Sequence, residues 1–275
     1  MAQRLTADQV QFYNKQGHLI FDRPVFAPDK FAALKEHCEA RMALWSQVLN
    51  RPIELIDRSH FIDPKLNEWL LADEVIDLVE PLIGPDIALF ASSFINKLPS
   101  AGKRVPWHED ASYWKTLADR VEAVTVWLAI DPSGIDNGCM RVIPATHRQR
   151  DRAHRPVSDP EQSVLRQAVD ADLFDESTAV DCILDPNHCS LHDPYLIHGS
   201  SATAGTRRRC GFQMRYMPTT IRATDHMGHQ MYLARGKDRA GNEYGDPTQV
   251  NQRWLKDKPE QQLMARACAE RESAQ

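Results

Sequence analysis

The sequence predicts a mostly β protein with outer helices (α+β), whose core is a double-sheet barrel of the jelly-roll kind. Up to residue 85, apolar residues recur with a helical period, and from residue 86 they form period-2 or continuous apolar segments. These later segments are short and regularly spaced, which is typical of two packed antiparallel sheets. We therefore expect a single domain over residues 1–275, made of a helical layer (1–85), a jelly-roll core (about 86–220) and a C-terminal extension (221–275).

A capping box opens the helical layer. Thr6 occupies its N-cap position and Gln9 its N3 position, directly before an apolar stripe. Further apolar patterns follow, separated by proline and glycine. We predict, in chain order, a short helix that stops near Gly17, a strand at 18–21, a long helix from Pro28 to Leu49, and one or two helices between 61 and 84.

The core strands are predicted from apolar segments between turn residues. Asp136-Asn137-Gly138 is a strong turn signal, so the strand at 139–143 is expected to return and pair with a long buried strand at 121–130. Residues 148–176 are polar and irregular, which predicts a mobile excursion or lid. A helical tail is expected from 259 to about 272. The remaining strands are predicted at 87–97, 179–184, 189–192, 195–198 and 210–217.

The composition excludes several classes of function. The 275 residues are 42% hydrophobic and 26% charged with a net charge of −5 and no long basic stretch, which argues against nucleic-acid binding. No apolar run approaches the roughly 18–20 residues of a membrane span. The N-terminus lacks a secretion signal, and the six cysteines include no Cys-x-x-Cys pair. We expect a cytoplasmic protein with reduced, buried thiols; the pattern indicates nothing about its oligomeric state.

One short motif predicts a metal site. His108 and Asp110 are separated by a single residue, so on an extended strand they point to the same face. A third ligand must come from elsewhere, and His198 is the best candidate. Two histidines and one carboxylate leave the opposite face of a metal open, which favours Fe(II) that activates O2. A His-x-Asp triplet is equally typical of a solvated strand end, so its context decides.

Four sequence blocks provide that context. They are Phe94-Ile95-Asn96-Lys97-Leu98-Pro99 with Gly102-Lys103, Trp107-His108-Glu109-Asp110, Asn137 through His147, and His198-Gly199-Ser200 with Arg207-Arg208-Arg209. In this order they resemble the phytanoyl-CoA dioxygenase family of Fe(II)- and 2-oxoglutarate-dependent oxygenases, from Leu5 to at least Thr219. The third block ends in Pro-Ala-Thr-His where the family usually has Pro-Gly-Ser-His, a departure that affects a turn.

The resemblance implies a double-stranded β-helix (cupin-like) fold and an enzyme that uses Fe(II), 2-oxoglutarate and O2. It implies His108, Asp110 and His198 as the iron ligands. It also implies Arg209 as the anchor for the far carboxylate of 2-oxoglutarate, a role that suits the planar fork of a guanidinium.

Three further residues are candidates for the cosubstrate pocket. Ser200 follows His198 by two, so on a strand it faces the same way and can donate to the same carboxylate. Trp127 and Ser93 resemble pocket positions of the family, although a core tryptophan and a satisfied strand hydroxyl explain them equally well. Arg207 and Arg208 are expected on the surface.

The resemblance further implies hydroxylation of an unactivated C–H bond with release of succinate and CO2. Relatives that halogenate lack the carboxylate at the position of Asp110, so its presence favours hydroxylation. We expect a small polar or anionic substrate, such as a carboxylate, an amino-acid-like compound or an organophosphonate. The candidate pocket residues are Tyr113, Trp114, Lys115, Asn96 and Arg215, and a basic mouth is expected from Lys97, Lys103, Arg104 and Arg215.

The other histidines are predicted not to bind metal. His192 is interrupted from His198 by Pro194, so we expect it in the core or beside the ligands. His37 and His147 are expected to be structural. Polar loops are predicted for His60, His154, His188, His226 and His229.

Two other functions are compatible with the same residues. A cupin-like metal-dependent hydrolase or isomerase could use the barrel with Zn²⁺, but it would not need Arg209. A non-catalytic sensor of 2-oxoglutarate or iron would keep every ligand without turnover.

Overall fold

The structure is a computed structural model that describes residues 4–114, 118, 121–203, 205–224 and 231–273. Its α-helices are α1 (Ala7–Gln16), α2 (Pro28–Leu49), α3 (Ser59–Ile62), α4 (Asn67–Leu70), α5 (Asp73–Ile83), α6 (Gln252–Leu255) and α7 (Pro259–Ser273). Its strands are β1 (His18–Phe21), β2 (Leu55–Asp57), β3 (Ile87–Lys97), β4 (Val105–His108), β5 (Val124–Ala129), β6 (Met140–Val142), β7 (His154–Pro156), β8 (Gln167–Val169), β9 (Val180–Cys182), β10 (Cys189–His192), β11 (His198–Ser200), β12 (Arg209–Pro218) and β13 (Tyr232–Arg235).

The first helices form where their sequence signals lie. The Thr6 hydroxyl accepts a hydrogen bond from the Gln9 backbone amide, and Gln9 Oε1 accepts one from the Thr6 backbone amide. Gly17 ends α1 in the left-handed conformation. Helix α2 spans the predicted residues. The predicted one or two helices between 61 and 84 are three short α-helices, α3, α4 and α5, with a 3₁₀ turn at Pro64–Leu66.

Two antiparallel sheets form the barrel. The larger one has the strand order β1-β10-β5-β12-β3-β13, and β2 also pairs with β3. The smaller one has the order β4-β11-β6-β9. Side chains of both sheets line one cavity, so the two sheets face each other across it. This is the double-sheet arrangement that the short, regularly spaced strands predict.

The predicted hairpin between the strands at 121–130 and 139–143 is wrong. Strand β5 has β10 on one side and β12 on the other, so neither of its edges is free for β6. Strand β6 pairs with β11 and β9 in the smaller sheet instead. The turn itself exists, as a 3₁₀ turn at Ile135–Asn137 followed by Gly138 in the left-handed conformation. A turn signal marks a reversal of the chain but not which strand receives it, and here the chain crosses between sheets.

The larger sheet extends beyond the predicted core limits of 86–220. Strands β1 and β2 come from the predicted helical layer, and β13 comes from the predicted C-terminal extension. Strand β1 lies where it was predicted, at 18–21, whereas β2 and β13 were not predicted, because a strand of three or four residues carries little periodicity. That the whole chain forms a single domain stays our inference, supported by these strand pairings from both ends of the chain.

The segment 148–176 is more regular than predicted. Strands β7 and β8 form an antiparallel hairpin within it, and short 3₁₀ turns flank them. Its residues Val164 and Leu165 line the central cavity, so the segment covers the cavity from one side. The strand predicted at 195–198 also differs, since β11 begins only at His198.

The outer face of the larger sheet packs against the helices. Leu34 and Trp45 of α2, Val79 of α5, and Phe94 and Phe212 of the sheet belong to one buried cluster. The rings of Phe94 and Phe212 stack at 4.3 Å. Burial of this kind contributes about 25 cal/mol per Å² and is the main stabilisation of the barrel. The helical layer thereby leaves the inner face of the sheet available for a site.

Two predictions from the sequence concern the cysteines and membrane-spanning segments. All six cysteines are buried and free of disulfides, as expected for reduced thiols. Within the described ranges, no helix has both the length and the apolar character that crossing a bilayer requires.

Candidate metal centre and its pocket

The His-x-Asp pair lies where a strand ends. His108 is the last residue of β4, Glu109 keeps an extended backbone, and Asp110 begins a 3₁₀ turn at Asp110–Tyr113. Because only the intervening residue must be extended, the two side chains still converge: His108 Nε2 lies 3.6 Å from Asp110 Oδ1. The predicted convergence is present, although Asp110 is just beyond the strand rather than on it.

Strand pairing brings His198 to the same point. In the ladder between β11 and β4, His198 lies directly opposite His108, and the two ring centres are 4.1 Å apart. His198 Nε2 is 4.0 Å from Asp110 Oδ1. One candidate ligand atom from each of the three buried residues lies within 4.8 Å of the other two. A single ion can therefore be reached by all three.

The protonation states suit metal binding. The Nδ1 atoms of His108 and His198 lie 2.9 Å from the carbonyl oxygens of Pro106 and Leu196, so each Nδ1–H donates to its own strand and Nε2 keeps its lone pair. Burial, with the neighbouring imidazoles of His108 and His192, holds the pKa of His198 well below its ordinary value. Both histidines thus direct Nε2, rather than Nδ1, toward Asp110.

Asp110 carries the charge of the centre. Burial alone raises the pKa of its carboxyl group, but the Arg215 guanidinium, followed by the imidazoles of His108, His192 and His198, holds that pKa well below its ordinary value. A buried carboxylate beside two imidazoles is the donor set expected for a divalent transition metal. The residues therefore fit the predicted metal on the chemistry of their donors.

A cavity of about 280 Å³ extends from these three residues. Its volume is close to the lower end of the range for small-molecule pockets, roughly 300–1,000 Å³. Seven predicted site residues line it in addition to the ligands, and five of them are Ser93, Tyr113, Trp114, Trp127 and Ser200. Arg209 and Arg215 line it as well.

Arg209 lines the same cavity as the three candidate ligands. It is 2% exposed, and its Nη1 donates to the Gly138 carbonyl at 2.7 Å. Its guanidinium carbon lies 5.2 Å from the ring centre of Trp127. Burial lowers the pKa of Arg209 to about 10, so it stays charged at neutral pH. Its Nε and the Ser200 hydroxyl are buried without a hydrogen-bond partner among the described residues. Unpartnered buried donors of this kind are typical of a site for an anionic ligand.

Gly211 allows Trp127 to line the cavity. A Cβ atom at this glycine would lie 2.0 Å from Trp127 Cζ2, so any side chain there would displace the indole. The glycine is present in the sequence, but its role follows only from the strand register, which places Gly211 beside β5.

A chain of polar contacts, which we call the floor chain, lies on one side of the cavity. Ser93 donates to Asp57 Oδ1 at 3.2 Å and accepts from Arg215 Nη1 at 2.9 Å. Arg215 Nη2 donates to Gln213 Oε1 at 2.7 Å. Asp57 also forms an ion pair with Arg58, which lines the cavity. Sequence reasoning missed Asp57, Arg58 and Gln213. Of these three residues, only Gln213 could have been found from the sequence, since it precedes Arg215 by two on one strand.

Two predicted pocket residues, Asn96 and Tyr113, differ in their position relative to the cavity. Asn96 is not a pocket residue: its Nδ2 donates to the Ile53 carbonyl at 2.9 Å and contacts Met42, on the opposite face of β3 from Ser93. Strand alternation makes this outcome unavoidable, because adjacent residues point to opposite faces. Tyr113 is 42% exposed and donates to the Gln167 carbonyl, so it closes the cavity next to the 148–176 segment. Lys115 lies outside the described residues.

The predicted basic mouth is wrong for three of its four residues. Lys97 is buried beside Arg209 and donates to the Lys103 carbonyl; burial, with the Arg209 charge, lowers the pKa of Lys97 to about 7. Lys103 is paired with Glu54 at 2.9 Å, and Arg104 with Asp159. Neighbouring groups bind the side chains of these three residues. Of the four residues of the predicted basic mouth, only Arg215 therefore contributes its charge to the cavity.

The two arginines before Arg209 differ from each other. Arg207 is exposed and paired with Asp136 at 2.5 Å, as predicted. The surface position predicted for Arg208 is wrong, since it is partly buried between Asp131 and Glu39. Arg208 directly precedes β12, and its partner Glu39 lies on α2.

The remaining histidines mostly follow expectation. His192 is buried beside the ligands, with its Nε2 3.6 Å from Asp110 Oδ2. His37 pairs with Asp63, and His147 contacts the Asn14 carbonyl. The polar loop predicted for His60 is wrong, because it is buried in α3 against Ser92.

Four other histidines were also assigned to polar loops. His154 lies on β7 and its Nε2 accepts from the Glu109 amide at 3.3 Å, so its assignment is wrong as well. His188 lies in the turn before β10. His226 and His229 are outside the described residues.

Comparison with known proteins places this geometry in a family. The family model described as Phytanoyl-CoA dioxygenase (PhyH) matches residues 13–210. The peroxisomal phytanoyl-CoA dioxygenase of Mus musculus is 26% identical over 226 residues, which span 74% of this chain and 66% of that protein. The probable phytanoyl-CoA dioxygenase of Caenorhabditis elegans is 29% identical and covers 74% of this chain and 73% of its own length.

Solved structures agree with the fold. The apo structure of the non-haem monooxygenase ThoJ superposes with a TM-score of 0.72 at 20% identity, covering 96% of this chain and 100% of that one. The predicted jelly-roll fold is confirmed, and the predicted enzyme class and cofactors are those of the matched family. From Tyr13 to Cys210, the chain belongs to the phytanoyl-CoA dioxygenase family of 2-oxoglutarate-dependent non-haem iron oxygenases.

Proposed function

We propose that this protein is an Fe(II)- and 2-oxoglutarate-dependent dioxygenase that hydroxylates an unactivated C–H bond of a small anionic metabolite and releases succinate and CO2. One observation carries the proposal. Three ligand atoms within 4.8 Å of one another lie in a cavity that also contains Arg209, a buried arginine with an unpartnered nitrogen. A metal centre and an anion anchor in one small cavity are what a chelating dicarboxylate cosubstrate requires.

Each part of the cavity has a task in this proposal. His108, Asp110 and His198 would hold the iron, which together with 2-oxoglutarate supplies the oxidising chemistry when bound. Arg209 and Ser200 would bind the far carboxylate through their unpartnered donors. Trp127 packs against the Arg209 guanidinium and restrains its position. We assign Ser93 to the floor chain rather than to the cosubstrate, because its hydroxyl already bonds Asp57 and Arg215.

Apolar side chains keep water out of the reaction. Those that line the cavity are Leu55, Ala91, Ile95, Val105, Met140, Val164 and Leu165. A dry cavity strengthens the charge interactions within it and limits side reactions of an oxidising centre. A hydrolase on this barrel would need water in the same place and has no use for Arg209, so the cavity favours the oxygenase.

The proposal is tested by succinate formation. The purified protein, supplied with Fe(II), ascorbate, O2 and 2-oxoglutarate, should release succinate and CO2 in equal amounts, and a productive substrate should accelerate this release. The same mixture with the metal removed by a chelator is the control. Release of succinate that depends on neither iron nor O2, or no release with any substrate in a broad panel, would contradict the proposal and favour a sensor.

The charges of the cavity favour an anionic substrate. Among its described lining residues, the cations are Arg58, Arg209 and Arg215 and the anions are Asp57 and Asp110. Asp110 would serve the metal and Arg209 the cosubstrate, so Arg58, Arg215 and Asp57 leave one net positive charge. Arg215 has its two Nη atoms bonded within the floor chain, which makes Arg58 the better contact for the substrate.

The backbone of Arg58 supports this role. It has φ 51° and ψ 45°, a left-handed conformation that costs free energy in a residue with a Cβ atom. Its amide donates to the Ser92 carbonyl, which fixes the turn between β2 and α3. Its Nε is buried without a hydrogen-bond partner within the described part of the chain. A strained turn that directs a guanidinium to a cavity is a common device of binding sites.

Replacing Arg58 with alanine should therefore reduce kcat/KM for an anionic substrate by about 10–100-fold, the cost of a lost hydrogen bond to a charged group. The rate of succinate release without substrate should stay within twofold. The methyl ester of the same substrate should lose little between the wild type and the variant. Arg207→Ala is the matched control, since Arg207 is exposed and paired with Asp136. Equal losses for the acid and the ester would contradict the assignment.

The cellular location of the protein and its partners stay predictions. The mouse relative is named as peroxisomal, and the cytoplasmic location of this chain stays a prediction. A small-molecule substrate, with neither nucleic acid nor membrane as partner, is what we propose from the size of the cavity.

A further inference from the structure

The two oxygens of Asp110 have different surroundings. Oδ1 faces the imidazoles, at 3.6 Å from His108 Nε2 and 4.0 Å from His198 Nε2. Oδ2 faces three other side chains, none of which is a candidate ligand. They are Thr125, whose Oγ1 donates to Oδ2 at 3.2 Å, His192, whose Nε2 is 3.6 Å away, and Arg215, whose Nε is 3.8 Å away.

These three side chains, which we call the carboxylate-supporting row, come from three neighbouring strands. Thr125 on β5 lies directly opposite His192 on β10 and Arg215 on β12. Residues opposite each other in an antiparallel ladder point to the same face, so the row lies across the inner face of the larger sheet. All three residues are buried. His108 and His198 come from the smaller sheet, and Asp110 comes from the turn after β4. The larger sheet supplies the carboxylate-supporting row.

We propose that the carboxylate-supporting row holds Oδ2 of Asp110 and leaves Oδ1 alone to bind the metal. This inference rests on the proposed function. A carboxylate can bind a cation through one oxygen or through both. The second oxygen would occupy a coordination position that a chelating cosubstrate and O2 need. A row that retains Oδ2 keeps these positions available, so its members are positioning residues rather than catalytic ones.

Packing alone does not explain the row. Both ring nitrogens of His192 are buried without a hydrogen-bond partner in the described structure, which is costly unless the ring serves a charge nearby. A leucine would fill the space without that cost. Arg215 is held by Ser93 through one Nη and by Gln213 through the other, so its Nε is directed to Asp110. The floor chain therefore fixes one member of the row.

The test uses Co(II) as a spectroscopic probe in place of iron. In Thr125→Val, which keeps the shape but removes the hydroxyl, the visible absorption of the Co(II) protein should change, because Asp110 can add its second oxygen. The Kd of the Co(II) protein for 2-oxoglutarate should rise about tenfold or more, comparable to the loss of an outer partner of a ligand. Thr125→Ser, which restores the hydroxyl, should return both values to those of the wild type.

A second pair of variants covers the case in which Thr125→Val does not fold. His192→Leu should raise the same Kd, and His192→Gln, which retains a donor, should raise it less. Ser190→Ala is the matched control: Ser190 is buried on the same face of β10, and its hydroxyl has no partner in the described ranges. It should leave the spectrum and the Kd unchanged.

The outcomes separate this inference from the proposed function. Wild-type Co(II) protein that binds 2-oxoglutarate, with the same Kd and spectrum in Thr125→Val and His192→Leu, would overturn the row and leave the proposed function intact. A wild type that binds neither Co(II) nor 2-oxoglutarate would overturn both.

Discussion

Replacing Asp110 with alanine should abolish hydroxylation and weaken Fe(II) binding. The substitution removes one of three ligands and the only carboxylate among them, so the two neutral imidazoles would face the cation without a compensating charge. It would also leave Arg215 and Thr125 without the oxygen that they now face. The loss should exceed the roughly 10–100-fold that disturbing an outer partner of a ligand costs.

Fe(II) affinity, measured by titration of the apoprotein, and substrate hydroxylation are the two readouts for Asp110→Ala. Asp136→Ala is a suitable control, because Asp136 is exposed and paired with Arg207. Near-normal hydroxylation by Asp110→Ala would refute the ligand assignment, whatever the iron affinity. Lost activity with unchanged iron affinity would instead make Asp110 a group that acts on the substrate.

Replacing Arg209 with alanine should raise the 2-oxoglutarate requirement sharply while iron stays bound. The guanidinium lies in the same cavity as the three ligands but bonds none of them; its Nη1 bonds Gly138. Hydrogen bonds to charged groups contribute about 1.5–3 kcal/mol, so KM for 2-oxoglutarate should rise about 10–100-fold. The rate at saturating 2-oxoglutarate should change much less, since the anchor binds the part of the cosubstrate that does not react.

Two controls sharpen the Arg209 experiment. Arg209→Lys retains the charge but not the planar fork, and it should recover only part of the affinity. Arg207→Ala removes a neighbouring exposed arginine and should have no effect on the 2-oxoglutarate requirement. If Arg209→Ala has the wild-type requirement, the anchor lies elsewhere, and Lys97, the buried cation beside Arg209, would be the next candidate.

Strand alternation decided which sequence assignments succeeded. Ser200 and His198 share a face as predicted, because both lie on β11 and the period of a strand is known in advance. The same rule, applied to β3, excludes Asn96 once Ser93 is known to face the cavity. The sequence analysis assigned both residues to the site, but proximity along a strand does not establish a shared face.

Strand pairing decided the errors. The turn at Asp136-Asn137-Gly138 was located correctly, yet β6 joined the other sheet because β5 already had two neighbours. Asp57 reached the cavity only because β2 pairs with β3 opposite Ser93. Pairing partners distant along the chain leave no local pattern in the sequence, so neither outcome was predictable from it.

The sequence by itself determined the candidate ligands, the long helices and long core strands, and the family, because these depend on residue identity and on short-range periodicity. Only the tertiary structure decided how Asp110 is held, which cations are neutralised by neighbours, and that Arg58 faces the cavity. These properties depend on contacts between segments far apart in the chain, where burial and register, rather than residue type, set the charge and direction of each side chain.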